Sequence, residues 1–126
     1  MRLFLVLLSF SFTLSTFAQK QSEIGKQLET GNAEKLTSFF KENVELEIPG
    51  SKGLFNKKQA SIVLDDFFSK NPPNKYFQKH NGGGNNKALF EIGSLLSKDK
   101  KYRTYLLYNL VDNTPQIIEL RIELEE

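Results

Sequence analysis

The chain has 126 residues, 39% of them apolar, and carries 17 Lys plus Arg against 15 Asp plus Glu, with no cysteine and one histidine. That length suits one domain and not two, and a formal charge of +2 is too balanced to point to nucleic acid or an anionic membrane surface. Without cysteine there are no disulfide staples and no thiol to acylate as in a lipoprotein, and one histidine leaves a structural zinc site without a ligand set.

Met1-Arg2 is a short positive start, and Leu3 to Phe12 is apolar apart from Ser9 and Ser11. Thr16 and Ala18 put small residues at −3 and −1 before the polar Gln19-Lys20. This order predicts a signal peptide over residues 1–18, cleaved after Ala18. The other reading, a transmembrane anchor, calls for about 20 apolar residues, and this run is shorter. The expected product is a single domain of residues 19–126, periplasmic or secreted, with a net charge of +1 once Arg2 is gone.

Lys20 to Thr30 reads as a helix with Ile24 and Leu28 on one face, Gly31 as its C-terminal cap and Asn32 as the cap of the next. In that second helix Leu36, Phe39 and Phe40 follow helical spacing. Val44-Glu45-Leu46-Glu47-Ile48 alternates as a strand with one wet face, ended by Pro49-Gly50, and Leu54-Phe55 suggests a very short strand. Asn56 with Gln59 resembles a capping box for a helix to about Lys70, whose buried side is Ala60, Val63, Leu64, Phe67 and Phe68. Asn71-Pro72-Pro73 stops it.

The rest reads as four strands in an antiparallel meander: Lys75–Asn81, Ala88–Ser97, Tyr102–Val111 and Gln116–Glu125. The loop Gly82 to Asn86 and the turns Lys98–Lys100 and Asp112–Pro115 join them. On the last strand Ile118, Leu120, Ile122 and Leu124 are expected to face the core. Only the helices can cover the apolar face of such a sheet, so the expected fold class is α+β, a curved antiparallel sheet packed on N-terminal helices, cone-like. The Tyr102–Val111 strand is apolar on both faces, which predicts a central strand covered twice. The second cover is a homodimer through the sheet, with Tyr105 and Leu107 at the interface, or else a curl of the sheet.

This order of elements resembles the ketosteroid-isomerase-like, or nuclear transport factor 2-like, cone fold, which is also described as cystatin-like. More narrowly the chain resembles an uncharacterised Bacteroidota family of small exported domains. The landmarks are Gly31-Asn32, Val44-Glu45-Leu46, Gln59-Ala60, Phe67-Phe68 with Asn71-Pro72-Pro73, His80 before the glycines, Ile92-Gly93, Tyr102-Arg103 with Tyr105, and Leu120-Arg121-Ile122-Glu123. The resemblance implies a fold and a location and no reaction, since such folds carry both enzymes and binders.

Side-chain chemistry narrows the function further. A Ser–His–acid triad would have to use His80, and no serine sits in a Gly-x-Ser-x-Gly elbow. The run Gly82–Asn86 lacks the Gly-x-x-x-x-Gly-Lys order of a phosphate loop and opens no helix. Isomerases of the cone fold use a carboxylate base and an oxyanion donor. The carboxylates here are Asp65, Asp66 and Glu91, and the donors Tyr76, Tyr102, Tyr105 and Tyr108, with no spacing that marks a pair. Asp65 and Asp66 fit a solvated helix edge. Alternation with Phe90 and Ile92 turns Glu91 toward water. Arg103 suits a cross-strand partner such as Glu119 or Glu123.

No catalytic residue and no cofactor is assigned. The expected ligand-binding residues are His80, Tyr102 and Tyr108, which lie on meander strands and would converge between the Asn56–Lys70 helix and the concave sheet. Histidine is the side chain that titrates near neutral pH. The expected function is thus an exported non-catalytic domain binding a small ligand or a protein. The alternatives are a proton-transfer enzyme using the cone pocket and a structural homodimer module.

Overall fold

The computed structural model describes residues 22–85 and 87–126; the signal-peptide reading of residues 1–18 and the first residues of the expected leading helix fall outside them. Ser22 starts α1 (Glu23–Thr30) by accepting the Gly25 N–H at 3.0 Å. Gly31, at φ 65°, closes it, donating to the carbonyls of Gln27 and Leu28, a left-handed position that glycine takes without a Cβ penalty. Asn32 caps α2 (Ala33–Ser38). That helix is shorter than its apolar spacing predicts. Phe39 is its C-terminal cap, and Phe40 opens β1 (Phe40–Ile48). The Phe39 carbonyl accepts the Ile117 N–H at 2.7 Å, so a sheet partner takes the group that another helical turn would have used.

β2 (Ser51–Asn56) is longer than the two residues expected and leads straight into α3 (Lys57–Lys70). The capping box is present in both directions: Gln59 N–H to Asn56 Oδ1 at 2.8 Å and Asn56 N–H to Gln59 Oε1 at 3.3 Å. Ala60, Leu64, Phe67 and Phe68 are the buried stripe of α3. β3 (Lys75–Gly83), β4 (Leu89–Ser97), β5 (Lys100–Val111) and β6 (Thr114–Leu124) complete the chain.

The six strands form one open sheet in the order β2-β1-β6-β5-β4-β3. The last four are the expected antiparallel meander. The sheet as a whole is mixed, because β1 lies parallel to β6; most of the chain separates those two strands, long enough for the return a parallel pair requires. β6 also carries a bulge. Leu107 stands opposite Glu119, but Tyr108 stands opposite Ile117, leaving Ile118 as the extra residue. The bulge reverses the facing at that point, so Ile117 is buried in place of Ile118. Leu124, at the strand end, is 49% exposed instead of joining the core. The helices cover the inner face, α1 over β3 and α3 over β1 and β2. Leu28, Leu36, Phe40, Leu64, Leu106 and Leu120 make the centre of the core.

Candidate functional site

Two places on the inner side of the sheet gather polar groups into apolar surroundings. The first is built on β4, where Glu91 and Leu95 are buried with Gly93 between them, while Phe90 and Ile92 are half-exposed. Glu91 is therefore inside, 4% exposed, and the expectation that it faces water is overturned. The larger side chains on either side of Glu91, Phe90 and Ile92, both lie on the outer face.

Glu91 is matched by Tyr76, which is buried on an otherwise exposed stretch of β3. The Tyr76 hydroxyl donates to Glu91 Oε2 at 2.5 Å, and the Ser22 hydroxyl reaches the same oxygen at 3.4 Å. The ring fits only because two glycines leave room. A Cβ at Gly93 would lie 2.4 Å from the Tyr76 hydroxyl oxygen, and one at Gly25 would lie 2.8 Å from ring carbons. The Tyr76 N–H, on the edge of the sheet, donates to the Glu29 carboxylate at 3.0 Å. Burial first, and then the hydrogen bond and charge of Glu91, push the Tyr76 phenol far above its ordinary range, so it stays protonated. Thr104 works the other way on Tyr76; its own hydroxyl is buried without a hydrogen bond of normal geometry. Tyr108 is half-buried, and its phenol is raised by burial and then by Glu91.

The second place is a cleft of about 660 Å³ where α3 parts from the turn between β1 and β2 and from the ends of β5 and β6. Ile48, Phe67 and Tyr102 form its buried part, and Ile62 (63% exposed) and Leu124 stand at its mouth. Its polar groups are mostly engaged. The Tyr102 hydroxyl donates to Asn71 Oδ1 at 3.1 Å, Asn71 Nδ2 donates to the Phe67 carbonyl at 3.1 Å, and Lys70 pairs with Asp66 at 3.0 Å. Lys100 also lines the cleft and has no acidic partner among the described residues.

A further hollow of about 400 Å³ on the β1–β2 side is lined by two ion pairs, Glu47 with Lys52 and Glu119 with Arg121, and by Glu45. Neither hollow is lined by Tyr76 or Glu91.

The three expected binding residues are not brought together. Tyr102 lines the cleft, with its ring edge-on to Phe67. Tyr108 lies on the same strand six residues on, about 20 Å away at strand rise. His80 is exposed and stands opposite Ile92 beyond the β3 bulge, which places it on the outer face. The spacing did not single out Tyr76 with Glu91, or Ile62 and Lys100. The signal available for the pair is a glycine two residues after a carboxylate in an apolar strand, a sign that a large group lies across that face. Among the described residues no three His, Asp or Glu side chains gather as a metal site, and no helix is long and apolar enough to cross a membrane.

Residues 21–123 match a family described as a domain of unknown function, DUF4783. The chain belongs to the DUF4783 family. Among solved structures, a DUF4783 protein from Bacteroides uniformis superposes with a TM-score of 0.74 at 22% identity, covering 82% of this chain and 94% of that one. A second DUF4783 protein, from Bacteroides fragilis, gives 0.73 at 24%, covering 81% and 95%. A nuclear transport factor 2-like protein of unknown function from Cytophaga hutchinsonii gives 0.54 at 18%, covering 82% and 84%. At these identities the likeness shows the fold: DUF4783 domains and this chain share the nuclear transport factor 2-like architecture. None of the curated proteins matches the chain.

Proposed function

We propose that this DUF4783 domain is an exported, non-catalytic binding module whose ligand seat is the cleft between α3 and the ends of β5 and β6. One observation carries the reading. The inner carboxylate on which a proton-transfer enzyme would rely is closed off by the domain's own Tyr76, whereas the cleft is open and apolar-walled. An enzyme using Glu91 would need room for substrate at its oxygens, and the Tyr76 ring fills the space left by Gly25 and Gly93. The cleft volume lies in the range of small-molecule sites, which combine apolar walls with a few polar groups. With Asp66 and Lys70 paired and Tyr102 and Asn71 bonded to each other, Lys100 is the group left to select charge. The ligand class that fits is an apolar body with a single anionic group.

The test is an NMR titration of the protein with decanoate and 1-decanol. Saturable shifts at Ile62, Val63 and Leu124, lost in Ile62→Glu, support the site. Shifts for decanoate that weaken in Lys100→Glu support the charge preference. No saturable shift with either probe would remove the cleft as a ligand seat.

Export rests on the composition of residues 1–18. Mass spectrometry of the protein recovered outside the cytoplasm should find Gln19 as the first residue, and an intact Met1 in a membrane fraction would sink the proposal. For the outer face of the sheet we propose a second copy of the chain as partner, because Phe90, Ile92, Tyr105 and Leu107 leave a half-exposed apolar band there. Leu107→Glu should then give a folded monomer by light scattering.

A further inference from the structure

The outer face carries its charge on opposite sides of that apolar band. Tyr105 and Leu107 of β5 stand opposite Ile92 and Phe90 of β4. On one flank, β6 and β1 present Glu119, Glu123, Glu45 and Glu47. The cations in that flank are already engaged: Arg121 lies 3.2 Å from Glu119 and stacks 4.3 Å over the Tyr105 ring, and Lys52 lies 3.9 Å from Glu47. The flank is therefore negative on balance; Glu123 is in no ion pair found there, and the exposed Arg103 of β5 stands opposite it on the same face without pairing with it. On the other flank, β3 presents Phe77, 40% exposed, with the Lys75 and Lys79 ammonium groups 5.2 and 5.6 Å from its ring. No carboxylate pairs with either lysine among the described residues.

A two-fold contact uses the same face of both copies, so that if one patch meets a second, the second also meets the first. A two-fold axis lying across the strands would set β3 over β3, lysine against lysine. An axis parallel to the strands exchanges the flanks and sets β3 of one copy over β6 of the other. Taking the second copy as the partner of this face, a reading on which this inference rests, we propose that the two sheets pack about an axis parallel to the strands, over the β4–β5 boundary. Strands of the two sheets then run in roughly the same direction, as in aligned sheet packing. Tyr105, Leu107, Phe90 and Ile92 of both copies form the dry centre. Glu123 of each copy approaches Lys75 and Lys79 of the other, because Glu123, Arg103, Ser94 and Phe77 lie in one register row across the sheet. An apolar centre with a polar rim is the usual interface anatomy, and complementary rim charges fix arrangement more than affinity.

The chain has no cysteine, so introduced thiols report the geometry directly. Lys79→Cys and Glu123→Cys proteins, mixed and mildly oxidised, should give a disulfide-linked dimer that neither protein gives alone. In sedimentation, Lys75→Glu/Lys79→Glu and Glu123→Lys should each weaken self-association by roughly tenfold or more, and an equimolar mixture of the two should recover it. Melting curves matching wild type establish that these surface variants are folded. A dimer whose Lys79→Cys variant cross-links to itself, or whose association ignores the charge reversals, overturns the arrangement and leaves the second copy as partner. A wild-type protein monomeric at high concentration overturns both.

Discussion

The Tyr76 hydroxyl and Glu91 Oε2 are joined by a 2.5 Å hydrogen bond across fifteen residues of chain, with Ser22 at the start of α1 reaching the same oxygen. This contact ties the edge strand β3, the interior of β4 and the first helix at one point. A carboxylate buried to this degree is costly unless its oxygens are bonded, so the tyrosine stabilises the glutamate as much as the reverse.

Tyr76→Phe keeps the ring and removes the donor. Leaving the carboxylate short of a partner should destabilise the protein by about 1–3 kcal/mol in urea unfolding. Tyr76→Phe combined with Glu91→Gln should cost less than the two single changes added together, because each single change strands the other group. A Tyr76→Phe loss within about 0.5 kcal/mol of zero, as at ordinary surface sites, would show that the bond contributes little.

The raised phenol gives a pH dependence with a definite sign. A group whose folded pKa lies above its unfolded value contributes stability that is fully present below the unfolded value, about 10 for tyrosine, and lost as pH rises toward the folded one. Tyr76, Tyr102 and Tyr108 are all raised, Tyr76 most clearly. Unfolding free energy should therefore begin to fall above about pH 10, by up to about 1.4 kcal/mol per pH unit for each such tyrosine. Tyr76→Phe should make the fall shallower. An identical alkaline slope in wild type and Tyr76→Phe would contradict the assignment.

Gly93→Ala should be poorly tolerated although β4 is an ordinary strand. Its methyl group would meet the Tyr76 hydroxyl oxygen at 2.4 Å and ring carbons at 2.6 Å, and forced overpacking of this kind costs about 1–3 kcal/mol. Tyr76→Ala should offset part of that cost in the double variant. Thermal melts of the single and double variants decide it, and strictly additive losses would mean that the glycine is not there to admit the ring.

Phe67 is buried in α3 between the Phe68 ring at 5.6 Å and the Tyr102 ring at 5.4 Å. Phe67→Ala should cost about 3–5 kcal/mol. A loss below about 1 kcal/mol would be that of a surface position and would contradict its burial.

What could be read from the chain follows how local the cause is. The caps at Gly31, Asn32 and Asn56 depend on a few neighbouring atoms, and each is where the residues indicate. Helix α3 with its stripe of Ala60, Leu64, Phe67 and Phe68, and the four-strand meander, follow from periodicity in the same way. The misreadings arise where distant segments decide. Phe39 and Phe40 have helical spacing, but β6 captures the Phe39 carbonyl. Ile118 continues an unbroken alternation that a bulge interrupts. Glu91 sits between two large apolar residues, and only the approach of Tyr76 from another strand and the gap at Gly93 make the inside its proper place. The cleft was legible in its floor, through Tyr102 and Phe67, but not in Ile62, Lys100 or Leu124, which meet there from three separate elements.

The place of β6 has a consequence for the order in which the molecule can be made. The strand formed from residues 114–124 is the last of the chain, yet it lies between β1 and β5. Until it is available, the amino-terminal hairpin and the three-strand sheet β3–β5 have no hydrogen-bonded ladder between them. Phe40, Val44 and Leu106 then lack Ile117, Leu120 and Ile122, which close the core. Synthesis from the amino terminus therefore delivers two unfinished halves, and cooperative folding waits for residues 114–124 to emerge. A ribosome-tethered chain ending before Thr114 should remain sensitive to protease and hold chaperones, whereas one tethered through a long linker after Glu126 should become resistant.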